Sequence, residues 1–224
     1  MLRLENINVY YDQNHILKNI NCTIEKNDFI LILGHNGSGK STLFNLISGK
    51  VIPQSGIIYR GEHKITNQSE EERAQSISRV FQNTSAGSVP TMSILENLSL
   101  AMLKGRKAGF SMATKNFPKY IVETILKPLN LNLENHLNTP IEKLSGGQRQ
   151  IITILMATLR EPDLLLLDEP TAALDPESSE KVLNFIQRYT KDKNMATLMI
   201  THDEKDAEFL SNKKWIMKEG MISY

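Results

Sequence analysis

Gly34-His35-Asn36-Gly37-Ser38-Gly39-Lys40-Ser41 is the stretch that decides the fold of this chain. It matches the pattern GxxxxGK[ST] completely, and it stands between a short apolar run, Phe29–Leu33, and the helical pattern of Thr42–Ile47. Glycines let successive amides turn inward around phosphate oxygens, and the following helix offers its positive end. The lysine of this pattern reaches the β- and γ-phosphates, and the next hydroxyl reaches Mg²⁺. The stretch, here named the phosphate loop, therefore predicts a nucleotide site between a strand and a helix.

A second motif, Leu164–Glu169, consists of four leucines followed by two acids. Such a run is typical of a strand buried on both faces, and its carboxyl end lies at the edge where open α/β sheets bind ligands. Asp168 and Glu169, here named the carboxylate pair, are neighbours on a strand, so their side chains point to opposite sides and can take different roles. An acidic helix start is the alternative, but it does not account for a phosphate loop in the same chain.

Between these motifs lies Leu144-Ser145-Gly146-Gly147-Gln148, here named the signature segment. Ser145 is suited to cap a helix, and the two glycines leave backbone amides uncovered, which predicts an anion-binding helix end. A flexible helix cap is the alternative reading of the same residues.

Composition limits the class of protein. The 26 basic and 25 acidic residues give a formal charge of +1, which argues against a nucleic-acid partner. No apolar run approaches the roughly 20 residues that span a bilayer, and the first residues lack a signal-peptide apolar region. The single cysteine, Cys22, excludes an internal disulfide and fits a reducing compartment. We expect one globular unit in the cytosol, without a regulatory domain after Tyr224.

Apolar periodicity divides the chain into three parts. Short alternating runs over residues 2–10, 16–24, 29–33 and 56–60 predict a β-rich N-terminal third. Helical spacing dominates residues 93–146. After it, patterns for helices at 150–159 and 178–189 alternate with strands at 164–167, 196–200 and 214–217, which predicts a mainly parallel α/β sheet.

The order of the three motifs resembles that of the ATP-binding cassette (ABC) family, and the resemblance covers nearly all 224 residues. It implies an α/β fold: a P-loop NTPase (RecA-like) core with an N-terminal antiparallel β subdomain and a helical insertion that carries the signature segment. The whole chain, 1–224, would be one ATP-binding domain, with residues 1–82 and 150–224 as core and 83–149 as helical subdomain. The implied activity is ATP hydrolysis, with ATP and Mg²⁺ as cofactors.

The resemblance also implies roles for individual residues. The catalytic set is Lys40, Gln82, Glu169 and His202, in which Glu169 orients and deprotonates the attacking water and His202 senses the γ-phosphate. The metal set is Ser41, Gln82 and Asp168. The nucleotide set is Tyr11, which would stack on adenine and has Tyr10 as its neighbour, together with Gly34, Asn36, Gly37, Ser38, Gly39, Lys40, Ser41, Thr42, Ser145, Gly146, Gly147, Gln148 and Asp175. Without this context Gln82 would be a surface amide and His202 a capped strand end.

Partners follow from the same resemblance. Two cassettes, expected to form a homodimer, would face head to tail so that each signature segment closes on the nucleotide of the other, with Asp175 coupling the two sites. The dimer would bind integral membrane permease subunits at the cytoplasmic side of the membrane, with a solute-binding protein acting on the permease.

Residues 81–98 and 156–159 resemble a bacterial importer subgroup linked to tryptophan/tyrosine-type solute receptors, which implies amino-acid import. Ile151 and residues 156–158 stand where most importer cassettes carry basic residues. An export or lipoprotein-release cassette, a soluble ABC ATPase and, more remotely, a P-loop nucleotide kinase are the alternatives. Five basic residues concentrate positive charge in the insertion, and they suit a solvated surface better than a lipid contact; they are Lys104, Arg106, Lys107, Lys115 and Lys119.

Overall fold

The structure, a computed structural model, describes residues 1–83, 87–103, 119–129, 131–202 and 210–224. Of the five basic residues named above in the insertion, only Lys119 falls within these ranges. Thr84, Ser85 and Ala86, which belong to the subgroup resemblance, also lie outside them.

An antiparallel sheet of four strands forms the N-terminal part of the fold, with strand order β2-β1-β4-β5. Its register aligns Leu2 with Ile24 and Tyr11 with Asn14, and bulges interrupt the pairing between them. The sheet confirms the predicted β-rich start. Its strands are β1 (Leu2–Tyr11), β2 (Asn14–Ile24), β4 (Ser55–Arg60) and β5 (His63–Lys64).

A second sheet of six strands carries the site, in the order β10-β9-β3-β8-β7-β6. Five neighbouring strands pair in parallel, and β10 adds to β9 as an antiparallel hairpin. Parallel strands bring their carboxyl ends to one edge, where ligands bind. The strands are β3 (Phe29–Leu33), β6 (Ile77–Val80), β7 (Leu164–Asp168), β8 (Ala196–Ile200), β9 (Lys213–Lys218) and β10 (Met221–Ser223).

Helices occupy the predicted helical stretch and flank the parallel sheet. The predicted helix near Tyr120 continues as a wider π-helical turn over Val122–Leu126. Three short 3₁₀ turns, 127–129, 133–135 and 141–143, lead to the signature segment. The division into core and helical subdomain stays a prediction, and α5 runs unbroken across its boundary at residue 150. The α-helices are α1 (Lys40–Ser48), α2 (Glu70–Arg73), α3 (Ile94–Leu103), α4 (Lys119–Ile121), α5 (Gly146–Thr158) and α6 (Pro176–Asp192).

Two hydrophobic cores lie on opposite faces of the parallel sheet. One includes Leu165 and Leu167 and packs under α3, α5 and α6; the other includes Leu164 and Leu166 and packs against α1 and the antiparallel sheet. Successive strand residues point to opposite faces, which is why neighbours in β7 belong to different cores. Asp168 follows Leu166 in this alternation, so its carboxylate lies on the α1 side of the sheet.

Candidate functional site

The phosphate loop links β3 to α1 and is tightly packed at its start. Gly34 has φ +148°, and a Cβ added to it would lie 2.3 Å from the carbonyl oxygen of Met217 on β9. At Gly37, by contrast, φ is +80° and a Cβ would meet nothing within 4 Å. The loop is thus fixed against the sheet at Gly34 and open to the outside at Gly37. Asn36 and Ser41 are exposed, whereas Thr42 is buried in α1.

Lys40 lies inside this loop. Its Nζ donates hydrogen bonds to the carbonyl oxygens of Gly34 at 2.6 Å and His35 at 2.9 Å. Burial lowers the pKa of Lys40, and the carboxylates of Glu169 and Asp168 oppose this effect through their charge. The ammonium group of Lys40 therefore interacts both with the loop carbonyls and with the charges of the carboxylate pair.

The loop also holds an unused donor. Ser38 Oγ is buried and has no hydrogen-bond partner among the residues that the structure describes. An unpaired buried hydroxyl is costly unless a ligand satisfies it. Together with the open space at Gly37, Ser38 makes the loop chemically suited to a phosphate group.

Glu169 joins two other predicted catalytic residues. Its Oε1 lies 2.7 Å from Nε2 of His202, and its Oε2 accepts a hydrogen bond from Nε2 of Gln82 at 3.2 Å. The residue has a positive φ of 48°, an uncommon conformation for a non-glycine residue, and its amide donates to the carbonyl of Ile200. Gln82 after β6 and His202 after β8 thus converge on the carboxylate of Glu169, which follows β7.

Asp168 has a different partner, Arg79, which sequence reasoning missed. Nη2 of Arg79 donates to Oδ2 of Asp168 at 2.6 Å. A charged residue within the short apolar run that contains Ile77 and Val80 was the available signal, because a charge on a buried strand is paired as a rule.

The signature segment starts α5 as predicted. Oγ of Ser145 accepts from the amide of Gln148, and Oε1 of Gln148 accepts from the amide of Ser145. This capping box fixes the helix end. A Cβ on Gly146 would lie 2.9 Å from Leu174, and one on Gly147 would lie 3.0 Å from the Cβ of Ser178. The glycines therefore also permit close packing against the start of α6.

Asp175 begins α6 as its N-cap residue, with Oδ1 accepting from the Ser178 amide at 2.9 Å. Hydrogen bonds from the Ser178 hydroxyl and amide hold the pKa of Asp175 below its ordinary value. The signature segment and Asp175 are therefore neighbours. Among the described residues, no hydrogen bond or ion pair joins the signature segment to the phosphate loop.

The two tyrosines at the end of β1 differ in their surroundings. The ring of Tyr10 stacks on His15 with centroids 4.1 Å apart, although the two tyrosines are similarly exposed, at 38% and 42%. The hairpin that carries them borders the phosphate loop, because the Ile16 carbonyl lies 3.3 Å from a Cβ built on Gly39. Both rings are therefore partly accessible at this edge, and the assignment of adenine stacking to Tyr11 stays a prediction.

Comparisons with known proteins agree with this geometry. The family described as "ABC transporter" matches residues 17–172. A tyrosine transport ATP-binding protein from Clostridioides difficile is 39% identical over 99% of this chain and 90% of its own length. A spermidine/putrescine import ATP-binding protein, PotA of Borrelia garinii, is 34% identical over 99% of this chain, which spans only 61% of that protein.

A solved structure resembles the whole fold. It is the dimeric, post-hydrolysis state of the ATP-binding cassette MJ0796 bound to ADP and Pi, which is 30% identical, with a TM-score of 0.80 over 100% of this chain and 97% of that one. The likeness confirms the predicted P-loop NTPase fold. In the part of the chain that is described, no helix is both long and apolar enough to span a bilayer. The chain belongs to the ABC transporter family, as a subunit that binds and hydrolyses ATP.

Proposed function

We propose that this chain powers a bacterial importer of amino acids or similar small solutes, hydrolysing ATP at sites formed between two copies of the cassette. The observation that carries the ATPase mechanism is the convergence of Gln82 and His202 on Glu169, beside the phosphate loop. The import of amino acids is supported by the likeness to the tyrosine transport protein.

The residues suit a nucleotide bound with Mg²⁺. Loop amides and the Ser38 hydroxyl would hold phosphate oxygens, Lys40 would exchange its two carbonyl partners for the β- and γ-phosphates, and Tyr11 would stack on adenine. Mg²⁺ prefers oxygen ligands. Ser41, Gln82 and Asp168 offer a hydroxyl, an amide oxygen and a carboxylate. Gln82 already uses its amide nitrogen on Glu169, which leaves its oxygen for the ion. When bound, Mg²⁺ neutralises phosphate charge.

Hydrolysis would then depend on Glu169. Phosphoryl transfer is achieved mainly by positioning and charge stabilisation, and the base has to orient a water molecule towards the phosphorus. Glu169 is held from both sides by Gln82 and His202, so its carboxylate has a defined direction. A carboxylate has about four lone-pair sites and these two partners occupy one on each oxygen, so a water can donate to Glu169 without displacing either. His202 can hold its oxygen or contact the γ-phosphate.

A Glu169→Gln variant tests this mechanism. We expect kcat to fall by about 10²–10⁴, the usual worth of a general base, while ATP still binds. ATP should convert this variant, but not Lys40→Ala, from monomer to dimer in size-exclusion chromatography. Glu161→Gln is a matched control, because Glu161 forms an exposed pair with Lys193. Full activity of Glu169→Gln would refute the base assignment, and a permanently monomeric variant would refute the shared sites.

The membrane partners need a separate experiment. The tagged Glu169→Gln chain, trapped with ATP in detergent-solubilised native membranes, should co-purify with a polytopic permease, identified by mass spectrometry. A solute receptor encoded beside that permease, with an amino acid bound after purification, would support import. A permease of an export or lipoprotein-release system would overturn the import proposal and leave the ATPase mechanism intact.

A further inference from the structure

We propose that Arg79 is a positioning residue that fixes the metal-binding carboxylate of Asp168 relative to helix α1. The inference rests on the proposed function, since it takes Asp168 and Ser41 as ligands of Mg²⁺. It assigns a task to Arg79, which the sequence motifs leave unexplained.

Arg79 connects two structural elements through one guanidinium group. Nη2 donates to Oδ2 of Asp168 at 2.6 Å, and Nη1 donates to Oδ1 of Asn45 at 2.7 Å. The side chains of Arg79 and Asp168 are only 11% and 17% exposed. Because the guanidinium is planar and rigid, the two donors keep a fixed mutual direction. The end of β7 and helix α1 are thereby held at a set separation.

The contact on α1 lies on the face that matters for the metal. Asn45 follows Ser41 by four residues, and residues at this spacing share one face of a helix. Arg79 therefore binds the same helix face that presents the Ser41 hydroxyl, one turn away. Through this bridge the position of one proposed ligand, Asp168, is tied to that of the other, Ser41.

Arg79 is itself well fixed. Its guanidinium carbon lies 4.8 Å from the ring centre of Phe81 and 5.6 Å from that of Phe44. In the sheet Arg79 pairs with Leu166, so it extends along the face that Asp168 occupies two residues later. Within the described ranges, Oδ1 of Asp168 accepts no hydrogen bond. Arg79 thus holds one carboxylate oxygen and leaves the other for the ion or its water.

A positioning role and a purely electrostatic role of Arg79 predict opposite changes in Mg²⁺ binding when Arg79 is removed, which makes the inference testable. A cation close to Asp168 repels Mg²⁺, so by Coulomb's law alone its removal would tighten metal binding. If Arg79 acts by fixing the carboxylate, its removal weakens metal binding instead. Groups that orient a metal ligand typically contribute 10–100-fold to affinity.

The experiment measures ATP affinity by calorimetry, with EDTA and at increasing Mg²⁺, in the Glu169→Gln background to prevent hydrolysis. We measure the Mg²⁺ concentration that gives half of the full Mg²⁺-dependent gain in ATP affinity. For Arg79→Met we expect this concentration to rise at least about tenfold, while the ATP affinity in EDTA stays unchanged. Arg79→Lys should raise the Mg²⁺ requirement almost as much as Arg79→Met, because one ammonium group cannot reproduce the two directed hydrogen bonds to Asp168 and Asn45. Asn45→Ala keeps the charge at Asp168 and releases α1, and should shift the Mg²⁺ requirement in the same direction.

Arg60→Met is the matched control, since it removes an exposed arginine–aspartate pair, to Asp163, away from the loop. A lower or unchanged Mg²⁺ requirement in Arg79→Met would overturn the inference, as would an equal loss of ATP affinity in EDTA, which signals general damage. Asp168→Asn separates the two proposals. If Asp168→Asn retains the Mg²⁺ response, the metal role of Asp168 fails; if only the Arg79 variants retain it, the positioning role fails.

Discussion

Arg73 shows how a single buried residue supports the helix that carries the phosphate loop. It is 1% exposed, and its guanidinium donates to four carbonyl oxygens: Leu46 and Ile47 near the end of α1, and Ile65 and Thr66 after β5. Burial lowers its pKa to about 10, which still leaves it charged at neutral pH. A cation at a helix C-terminus is favourable, because the last carbonyls lack partners within the helix.

We therefore expect Arg73→Met to lower the free energy of unfolding by about 3 kcal/mol, since it leaves several buried carbonyls unpaired. Urea unfolding followed by circular dichroism measures this change. Arg73→Lys should recover part of the loss, and Arg60→Met, at an exposed pair, should cost less than about 1 kcal/mol. An Arg73→Met chain as stable as the parent would show that water replaces the guanidinium.

At the scale of elements, uniform apolar runs were predicted best. β3 and β8 have the predicted bounds, since each is aliphatic or aromatic on both faces or nearly so. Apolar periodicity alone gave 150 as the start of α5, whereas the helix begins at Gly146, where Ser145 caps it as the signature segment predicted. β6 was not predicted, because Ser78 and Arg79 interrupt its apolar pattern.

The close packing of α5 on α6 predicts that Gly147→Ala destabilises the protein, although the same change stabilises an isolated helix. In an open helix, Gly147→Ala would stabilise by about 1 kcal/mol. Here the new Cβ would lie 3.0 Å from the Cβ of Ser178, so we expect a net destabilisation of about 1–2 kcal/mol. Thermal unfolding measures it, and adding Ser178→Gly should restore part of the loss relative to Ser178→Gly alone. If Gly147→Ala alone stabilised the protein, α6 would have to shift away from the new Cβ at little energetic cost, which would contradict the prediction.

Across the whole molecule, the alternation of side chains along β7 divides its leucines between two hydrophobic cores and directs the neighbouring Asp168 and Glu169 to different partners. The family resemblance assigned Gln82, Glu169 and His202 to one catalytic set, and in the structure they meet because each follows a strand of the same parallel sheet. The link from Arg79 to Asn45 could not be predicted, since it joins residues 34 positions apart whose contact depends on the packing of α1 against β6.

The shared site can be tested with two defective chains. Lys40→Ala removes the loop lysine, and Ser145→Arg obstructs the signature segment; each is made in the Glu169→Gln background. Neither alone should form an ATP-bound dimer, but their mixture should contain one intact site per heterodimer and retain one ATP. Native mass spectrometry counts the nucleotides. A mixture that forms no ATP-bound dimer, like its components, would contradict a site shared between two chains.

The contact between Gly34 and the Met217 carbonyl has a spectroscopic consequence. The only tryptophan of the chain, Trp215, lies two residues before Met217 on β9, pairs with Ile32 of β3 and meets the ring of Tyr224 edge-on. A shift of Gly34 towards β9 would press on this strand, because a Cβ built on Gly34 would already lie 2.3 Å from the Met217 carbonyl oxygen. The protein therefore contains its own fluorophore two residues from the strand carbonyl that borders the phosphate loop, and we expect its indole emission to change when nucleotide is added.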